Sequence, residues 1–572
     1  MAEDLKTRAS SGWTVGSLGE PFVVFVTMAA VYSWFSRLGV DPHHDGMALQ
    51  PAFVIAEGGV PHRDVFEQYG PMVPWVQGLF VFVFGRSLLV VKVATAVLLA
   101  GGVTLFFVSW RSWKGRAVAY VATAFVFLLS YFFTPKLDMR AWSSDILVFL
   151  QSVSLLAVMS GVRSKSRAPW FVAGVVTTLC LLTRILPGLV QSVLLLVVLL
   201  SVVRRAVMPY VAGLVGCLGA VVGFLAVNRG LGEWWYQTVE LPFRWSTGTA
   251  ATDPLGFVRF VLLHRLLPVF LGPISAAVLL GGWWTRLARF KWVAGGVLSA
   301  TVTWWLTSLR HLHLDFLGRQ DAAWTLIGLT MFSFACSIAS ARQGKPGSQV
   351  DLLISVAAVS AVSQIYPVLE ARHLWWSIIP VAGPAVAMAG AILARPMSQK
   401  VVTSVVLAPL TFATVFSAAD VLREPRTLVR TPGPLEGMYF NSQFYRYFDD
   451  NIRTVATYER AHPGTPIINM CADGLWVSLT SSVRMPDPYY VLWDFKAGKI
   501  DFDQRATWAL KERPIAWFCP PSPDETAQAG LFGLRVVSVP LGTRQLPHQN
   551  EWPYKSAVAV PREWPVATGE NE

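Results

Sequence analysis

The sequence predicts a polytopic α-helical membrane protein with a small α/β domain at its C-terminal end. Three observations predict it. Apolar residues make up 53% of the 572 and charged residues only 14%, against about 25% charged in an average soluble domain. Apolar stretches of about 17–25 residues, long enough to cross roughly 30 Å of hydrocarbon, recur along residues 1–420. The connections between them alternate in charge. With a mean hydropathy of +0.47, the chain is no disordered tail, coiled coil, collagen or disulfide-stapled mini-protein. Residues 1–420 carry 31 Lys+Arg against 18 Asp+Glu, and residues 421–572 carry 16 against 17. The basic excess therefore belongs to the membrane part, and no basic cluster on a soluble face points to nucleic acid.

The first span covers Pro21 to Val40, behind a leader with Lys6 and Arg8 but no cleavage-site pattern, so it is expected to stay attached. Further spans fall at 88–110, 117–135, 145–162, 169–186, 188–203, 208–228, 267–284, 292–309, 322–340, 350–367, 374–394 and 401–419, about thirteen in all. The pair at 169–203 is either a hairpin turning at Pro187-Gly188 or one broken helix. With the N-terminus inside, the inner connections are Arg111–Arg116, Arg163–Arg167, Arg204-Arg205, Arg286–Lys291, Arg342–Lys345 and Arg395–Lys400, all basic and free of Asp and Glu. The other connections hold nearly all the acids, as the positive-inside rule requires. The C-terminus is then outside, and the membrane is the cytoplasmic one. Pro71–Gly85 is too short to span without inverting every later loop, and it reads as a helix at the outer interface. Phe257–Leu266 reads similarly.

Residues 421–572 mix charges with frequent prolines. Gln443–Arg460 reads as a helix, and 466–470, 515–518 and 534–539 as short buried strands, hence a small α/β domain. Cys471 and Cys519 each follow a strand and form either a disulfide or two buried thiols. Cys180, Cys217 and Cys336 sit in spans as packing residues.

The outer loop after the first span is the richest in chemistry. Between Asp41 and Pro71 it holds Asp41, Asp45, Asp64, Glu57, Glu67, His43, His44, His62, Arg63 and Tyr69. Carboxylates at a membrane boundary suit proton abstraction from a hydroxyl, or a divalent cation; the plainer reading is an acidic loop that obeys topology. Adjacent histidines diverge, His311 and His313 share no helical face, and no HExxH or CxxC occurs, so zinc is not expected. In the next outer loop Asp138 lies between Lys136 and Arg140, as a second catalytic carboxylate or half of an ion pair, and Asp145 reads as a helix N-cap. Arg319 and Arg372 stand outside against the charge trend. Each suits bidentate phosphate binding, or pairing with Asp321 or Glu370.

The order of these parts resembles the polyprenyl-phosphate-dependent membrane glycosyltransferases of the GT-C fold, nearest the branch of protein O-mannosyltransferases and lipid A aminoarabinose transferases. The resemblance is carried by His44-Asp45-Gly46, Gly58-Gly59-Val60-Pro61-His62-Arg63-Asp64, Tyr69-Gly70-Pro71, Leu137-Asp138-Met139 and Arg372-His373-Leu374 up to Pro380. It covers residues 1–420; residues 421–572 resemble nothing nameable. One departure is Gly46, where many relatives carry Glu, so Asp41 or Asp64 would supply any second carboxylate.

The resemblance implies a sugar donor on a polyprenyl phosphate and an acceptor that is an envelope glycan, lipid or protein. Asp45 would take the acceptor's proton, with Asp138 and Asp41 as further catalytic candidates. Arg372, His373, Arg319, Asp64, Tyr69, His44 and Arg140 would line the donor. No nucleotide-sugar site is needed, no cofactor is specified, and a divalent cation stays open. Arabinofuranose and mannose are both live donors, since Ala-, Val- and Arg-rich usage suits a high-GC, actinobacterial envelope. The rival classes are a transporter or flippase of lipid-linked sugars, which would place charges inside the bundle and show repeats, and a non-catalytic scaffold for envelope assembly.

Overall fold

The computed structural model describes residues 15–133, 139–164, 166–242, 316–345, 347–365, 371–393, 426–430, 433–441, 457–458, 460–465, 467–469, 515–518, 523–538 and 557–564. Their helices are α1 (Val15–Ser36), α2 (Pro42–Ala56), α3 (Met72–Phe84), α4 (Leu88–Lys114), α5 (Arg116–Phe133), α6 (Ser143–Arg163), α7 (Ala168–Leu181), α8 (Ile185–Val202), α9 (Val207–Val227) and α10 (Leu231–Trp235), which runs into a π turn at Tyr236–Glu240. After them come α11 (Phe316–Arg342), α12 (Ser348–Val362) and α13 (Ala371–Leu393). Helices α1, α4, α6, α8 and α9 are long and apolar enough to cross a membrane. Shorter apolar helices include α3, α7 and α12. Phe22, Val23, Val193, Val197 and Val215 turn outward, as lipid-facing side chains do. The spans expected at 267–284, 292–309 and 401–419, and the stretch Phe257–Leu266, lie outside the described residues.

Helix α4 is the hub. It packs on α1, α3, α5 and α6, and its Phe106 and Trp110 are fully buried in a core shared with α1, α5, α6, α12 and α13. A second core joins α6, α7, α8, α9 and α12.

Two expectations need correction. Helices α7 and α8 do form a hairpin, but the turn is at 182–184, and Pro187 and Gly188 lie inside the first turn of α8. Proline is tolerated there because the first-turn N–H groups have no intrahelical partner. Asp145 is not an N-cap either; Trp142 holds that position, and Asp145 sits within the first turn, accepting from Trp376 Nε1 at 2.7 Å.

The two ends of the bundle differ in kind. At one end Arg111 and Arg116 share Glu20, each at 3.2 Å, and Lys114 faces Asp351 at 3.2 Å. These tie together α1, α4, α5 and α12. The other end gathers the exit of α1, helix α2, the start of α4 and the starts of α6, α8 and α13, and carries the candidate site.

Helix α3, expected at the interface, packs on α2 and α4, buries Val73, Pro74, Gln77, Gly78 and Val81 and exposes Leu79, Phe82 and Phe84.

The described part of residues 421–572 has two β elements. Strands β1 (Arg426–Leu428) and β2 (Tyr439–Asn441) form an antiparallel hairpin. It adds to the backbone after α1: Gly39 N–H donates to Tyr439 O at 2.9 Å and Tyr439 N–H to Arg37 O at 2.7 Å. A four-stranded sheet has the order β3 (Ile467–Asn469), β4 (Ile515–Phe518), β6 (Ala557–Pro561), β5 (Leu534–Ser538). Strands β3 and β4 are parallel, and β6 is antiparallel to β4 and β5. Helix α14 (Pro523–Leu531) links β4 to β5. Cys471, Cys519 and most of Gln443–Arg460 lie outside the described residues.

Close helix approach holds the second core. A Cβ at Gly174 of α7 would stand 2.0 Å from Tyr210 O, and one at Gly213 of α9 would stand 2.2 Å from Phe171 O. The two backbones touch through reciprocal glycines, the small-residue contact of membrane helices. Gly174→Val or Gly213→Val should therefore destabilise the protein by about 1–3 kcal/mol. Thermal unfolding in detergent checks this, and an unchanged midpoint in both variants would contradict the crossing.

Candidate active site

The site is built on the first turn of α2. Asp41 is its N-cap, with Oδ1 accepting from His44 N–H at 2.9 Å, a cap worth about 0.5–2 kcal/mol. Asp45 lies one turn on, so both carboxylates share a face. Its Oδ2 accepts from Asp41 N–H at 2.9 Å and from Lys92 Nζ at 3.2 Å. Lys92 Nζ also donates to Gly39 O at 3.0 Å. The Asp45 and Lys92 side chains are both 0% exposed, and removing one partner of such a pair costs about 3–5 kcal/mol.

Asp41, with 19% of its side chain exposed, pairs with Arg140. Burial pushes its pKa up, but the Arg140 guanidinium and the His44 contacts outweigh it and hold the carboxyl well below the usual range. His44 Nδ1 stands 3.0 Å from Asp41 Oδ1 and 2.6 Å from Arg140 Nη1. These contacts exclude each other as hydrogen bonds, since the first needs Nδ1 protonated and the second needs it bare.

An aromatic wall joins this turn to two distant parts of the chain. The His44 ring lies 4.5 Å from Trp142, Trp142 lies 5.4 Å from Trp376, and Trp376 lies 5.4 Å from His373. The loop after α1, the segment before α6 and the start of α13 thus meet. His373 is buried. Arg372, one residue before it, is on α13, and Arg319 is on α11; their side chains, like Asp138 and Glu370 altogether, lie outside the described residues.

The remaining motif residues are placed apart from Asp45. Asp64 accepts from Val60 N–H at 2.7 Å and pairs with Arg63 at 2.7 Å. The Arg63 hydrogen bond lowers its pKa first of all. It braces its own bend. His62 sits in the left-handed region at φ 68°, fully buried. Its Nδ1 meets Gln237 Oε1 at 3.0 Å, and Gln237 Nε2 returns a bond to His62 O at 2.9 Å. Gln237 belongs to the π turn after α10, so that turn reads the loop by a paired contact. Burial brings the His62 pKa down to about 4. Glu67 is buried beside it and is pushed up to about 8 by burial, against the Tyr69 N–H bond. Tyr69 lies beneath the Arg184 guanidinium, 5.2 Å from its ring centre.

Three members of this end were missed from the sequence. Lys92 is a lone cation near the start of an apolar 27-residue helix, and an ionisable residue inside a span is itself a signal. Arg184 is a cation at a turn expected on the outer side, the feature that singled out Arg319 and Arg372. Gln237 had no signal, because its partner is distant in sequence.

No protein-family model matches the chain, and no curated protein matches it. Among solved structures it is similar to ArnT from Cupriavidus metallidurans bound to undecaprenyl phosphate, at 15% identity and a TM-score of 0.40, over 94% of this chain and 97% of that one. The apo state of the same protein matches with a TM-score of 0.41 at the same identity and coverage. An oligosaccharyltransferase from Archaeoglobus fulgidus, in complex with Zn and sulfate, matches at 12% identity and a TM-score of 0.44, over 80% of this chain and 61% of that one.

The raised pKa of Glu67 has a stability consequence. Its carboxyl keeps its proton in the fold up to about pH 8 but loses it near 4.5 when unfolded. The folded state binds the extra proton in that window, so stability falls as pH rises from 4.5 to 8. Glu67→Gln removes this loss and keeps the acceptor for Tyr69. The variant's melting temperature should gain on the wild type's across that window. A gap that does not change with pH would refute the assignment. The contribution of His62, of opposite sign, cancels in the difference.

Proposed function

We propose that this chain is a membrane glycosyltransferase that moves a sugar from a polyprenyl-phosphate donor to an envelope glycan, lipid or protein acceptor on the outer face of the cytoplasmic membrane. The observation that carries this is the pair Asp41 and Asp45, one helical turn apart, each on its own cation and closed over by rings from two other outer segments. The sugar is of the arabinofuranose or mannose type. Residues 1–420 are the catalytic domain, with the N-terminus inside. Residues 421–572 are an outer domain that meets the acceptor.

In the proposed step the acceptor oxygen attacks the anomeric carbon while its proton passes to Asp45. The bond from that carbon to the phosphate oxygen breaks, the lipid phosphate leaves, and the configuration inverts. Cations stabilise the charge on the leaving phosphate, and Arg372 and Arg319 are the proposed ligands, with Asp138 as a further carboxylate. Asp41 is more exposed than Asp45, but a carboxyl held so far below its usual range is a weak base. We assign it to orienting α2 and Arg140. A transporter of lipid-linked sugars is the second reading, favoured by the buried Lys92–Asp45 pair. Against it, that pair lies at one end of the bundle with the aromatic wall.

Purified protein with a radiolabelled polyprenyl-phosphate sugar tests the class. Transfer to an acceptor supports the reading, and movement of intact donor across a vesicle without transfer supports the transporter. Asp45→Asn should lower transfer per folded molecule by about 10²–10⁴-fold, alongside a loss of stability from the unpaired Lys92. Activity within a few-fold of wild type would remove Asp45 from the role of base.

Arg372 has its own test. As a phosphate ligand, Arg372→Ala raises the apparent KM for donor about tenfold or more, and Glu370→Ala is mild. Equal damage from both, with donor affinity unchanged, would leave only a Glu370–Arg372 ion pair.

A further inference from the structure

Arg184 is the one cation of this end, among those discussed, that the reaction above leaves unused. Lys92 faces Asp45, Arg140 faces Asp41 and Arg63 faces Asp64. Arg184 has no carboxylate within 4 Å among the described residues. Its Nη1 donates to Ser144 Oγ, and its plane lies over the Tyr69 ring. Neither partner carries a negative charge. The side chain is half-buried in the turn between α7 and α8. Burial lowers its pKa, opposed by Tyr69. Its partial exposure lets an anion reach the guanidinium, and Ser144 holds one of its five N–H groups.

The stretch Arg140–Asp145 connects this residue to the candidate site. Arg140 reaches Asp41, Trp142 touches His44, Ser144 receives Arg184, and Asp145 receives Trp376. Arg184 is thus fixed to the same short segment that closes over Asp41.

We propose that Arg184, its plane set by Tyr69 and Ser144, binds the phosphoryl group of the lipid-linked donor. A guanidinium fork matches two phosphate oxygens. A ring on one side and a hydroxyl at one nitrogen leave the other N–H groups to supply that fork. The identity of the lipid rests on the glycosyl-transfer reading; the orientation of the cation by Tyr69 and Ser144 does not. The ligand chemistry is a lipid phosphate, and its two sources are a polyprenyl phosphate and an ordinary anionic phospholipid.

The test is binding, read by native mass spectrometry on the full-length protein in neutral-lipid nanodiscs titrated with undecaprenyl phosphate, phosphatidylglycerol or inorganic phosphate. Wild type should prefer undecaprenyl phosphate. Arg184→Gln should weaken it by about 30-fold or more. Arg184→Lys, which keeps the charge but not the fork, should lose less, and Ser144→Ala a few-fold. Wild-type affinity in Arg184→Gln would overturn the proposal; if that variant does not fold, unchanged affinity in both Arg184→Lys and Ser144→Ala would do so. Equal binding of phosphatidylglycerol, or displacement of the lipid by millimolar inorganic phosphate, would also overturn it. Asp45→Asn separates the two readings. Lost binding in Arg184→Gln with full transfer by Asp45→Asn sinks the base and keeps this site. Normal binding in Arg184→Gln with no transfer by Asp45→Asn does the reverse.

Discussion

The geometry of this end depends on the buried ion pair between Lys92 and Asp45. Lys92 sits on the second turn of α4, the helix around which the bundle packs. Its ammonium is shared between Asp45 and the Gly39 carbonyl, and its own carbonyl accepts from Ser36 Oγ at 3.4 Å. One residue therefore ties the exit of α1, the approach to α2 and the first turn of α2 to a single point on α4. An uncompensated charge at that depth would be costly, so these segments cannot separate without breaking the pair. The β1–β2 hairpin closes the arrangement from outside. It bonds to both Arg37 and Gly39, and Arg37 lies between the rings of Trp34 and Tyr439 at 5.8 and 5.3 Å. The carbonyl that holds Lys92 is thus fixed by residues four hundred positions downstream.

Much of this was legible in the sequence, for reasons that can be named. Charge alternation told which loops share an end, because the electrostatics of a bilayer acts on each connection separately. The segment after Tyr69-Gly70-Pro71 was legible as a short helix because its apolar run ends at Gly85. The strands at 467–469, 515–518 and 534–538 were legible as brief apolar runs between breakers. What was not legible depends on tertiary pairing. Nothing local says that Lys92 turns toward Asp45 and not toward lipid headgroups. Proline and glycine at 187–188 looked like a turn, but a helix's first turn accepts both. Asp145 looked like a cap, but its carboxylate had a better partner in an indole 231 residues away.

The two carboxylates of α2 are chemically alike in sequence and unlike in place. Asp41 spends its oxygens on a helix cap, a histidine and an arginine, and is held far from proton uptake. Asp45 has a single ammonium and one backbone N–H on its Oδ2. A pair of acids one turn apart can divide structure from chemistry in this way. The first anchors the helix and the arginine, and the second holds the helix to Lys92 of α4.

The Tyr69-Gly70-Pro71 motif gains a physical meaning from the same contacts. Gly70 N–H donates to Thr183 O and Met72 N–H to Leu182 O, each at 3.2 Å. A Cβ on Gly70 would stand 1.8 Å from Leu182 O, so only glycine lets the loop lie against that turn. Pro71 then fixes the chain direction into α3. The consequence for Tyr69 is that its ring is delivered beneath the guanidinium of the next residue in the turn, Arg184. The motif is therefore a docking surface for the α7–α8 turn. The tyrosine needs the glycine, the glycine needs the turn, and the turn carries the cation.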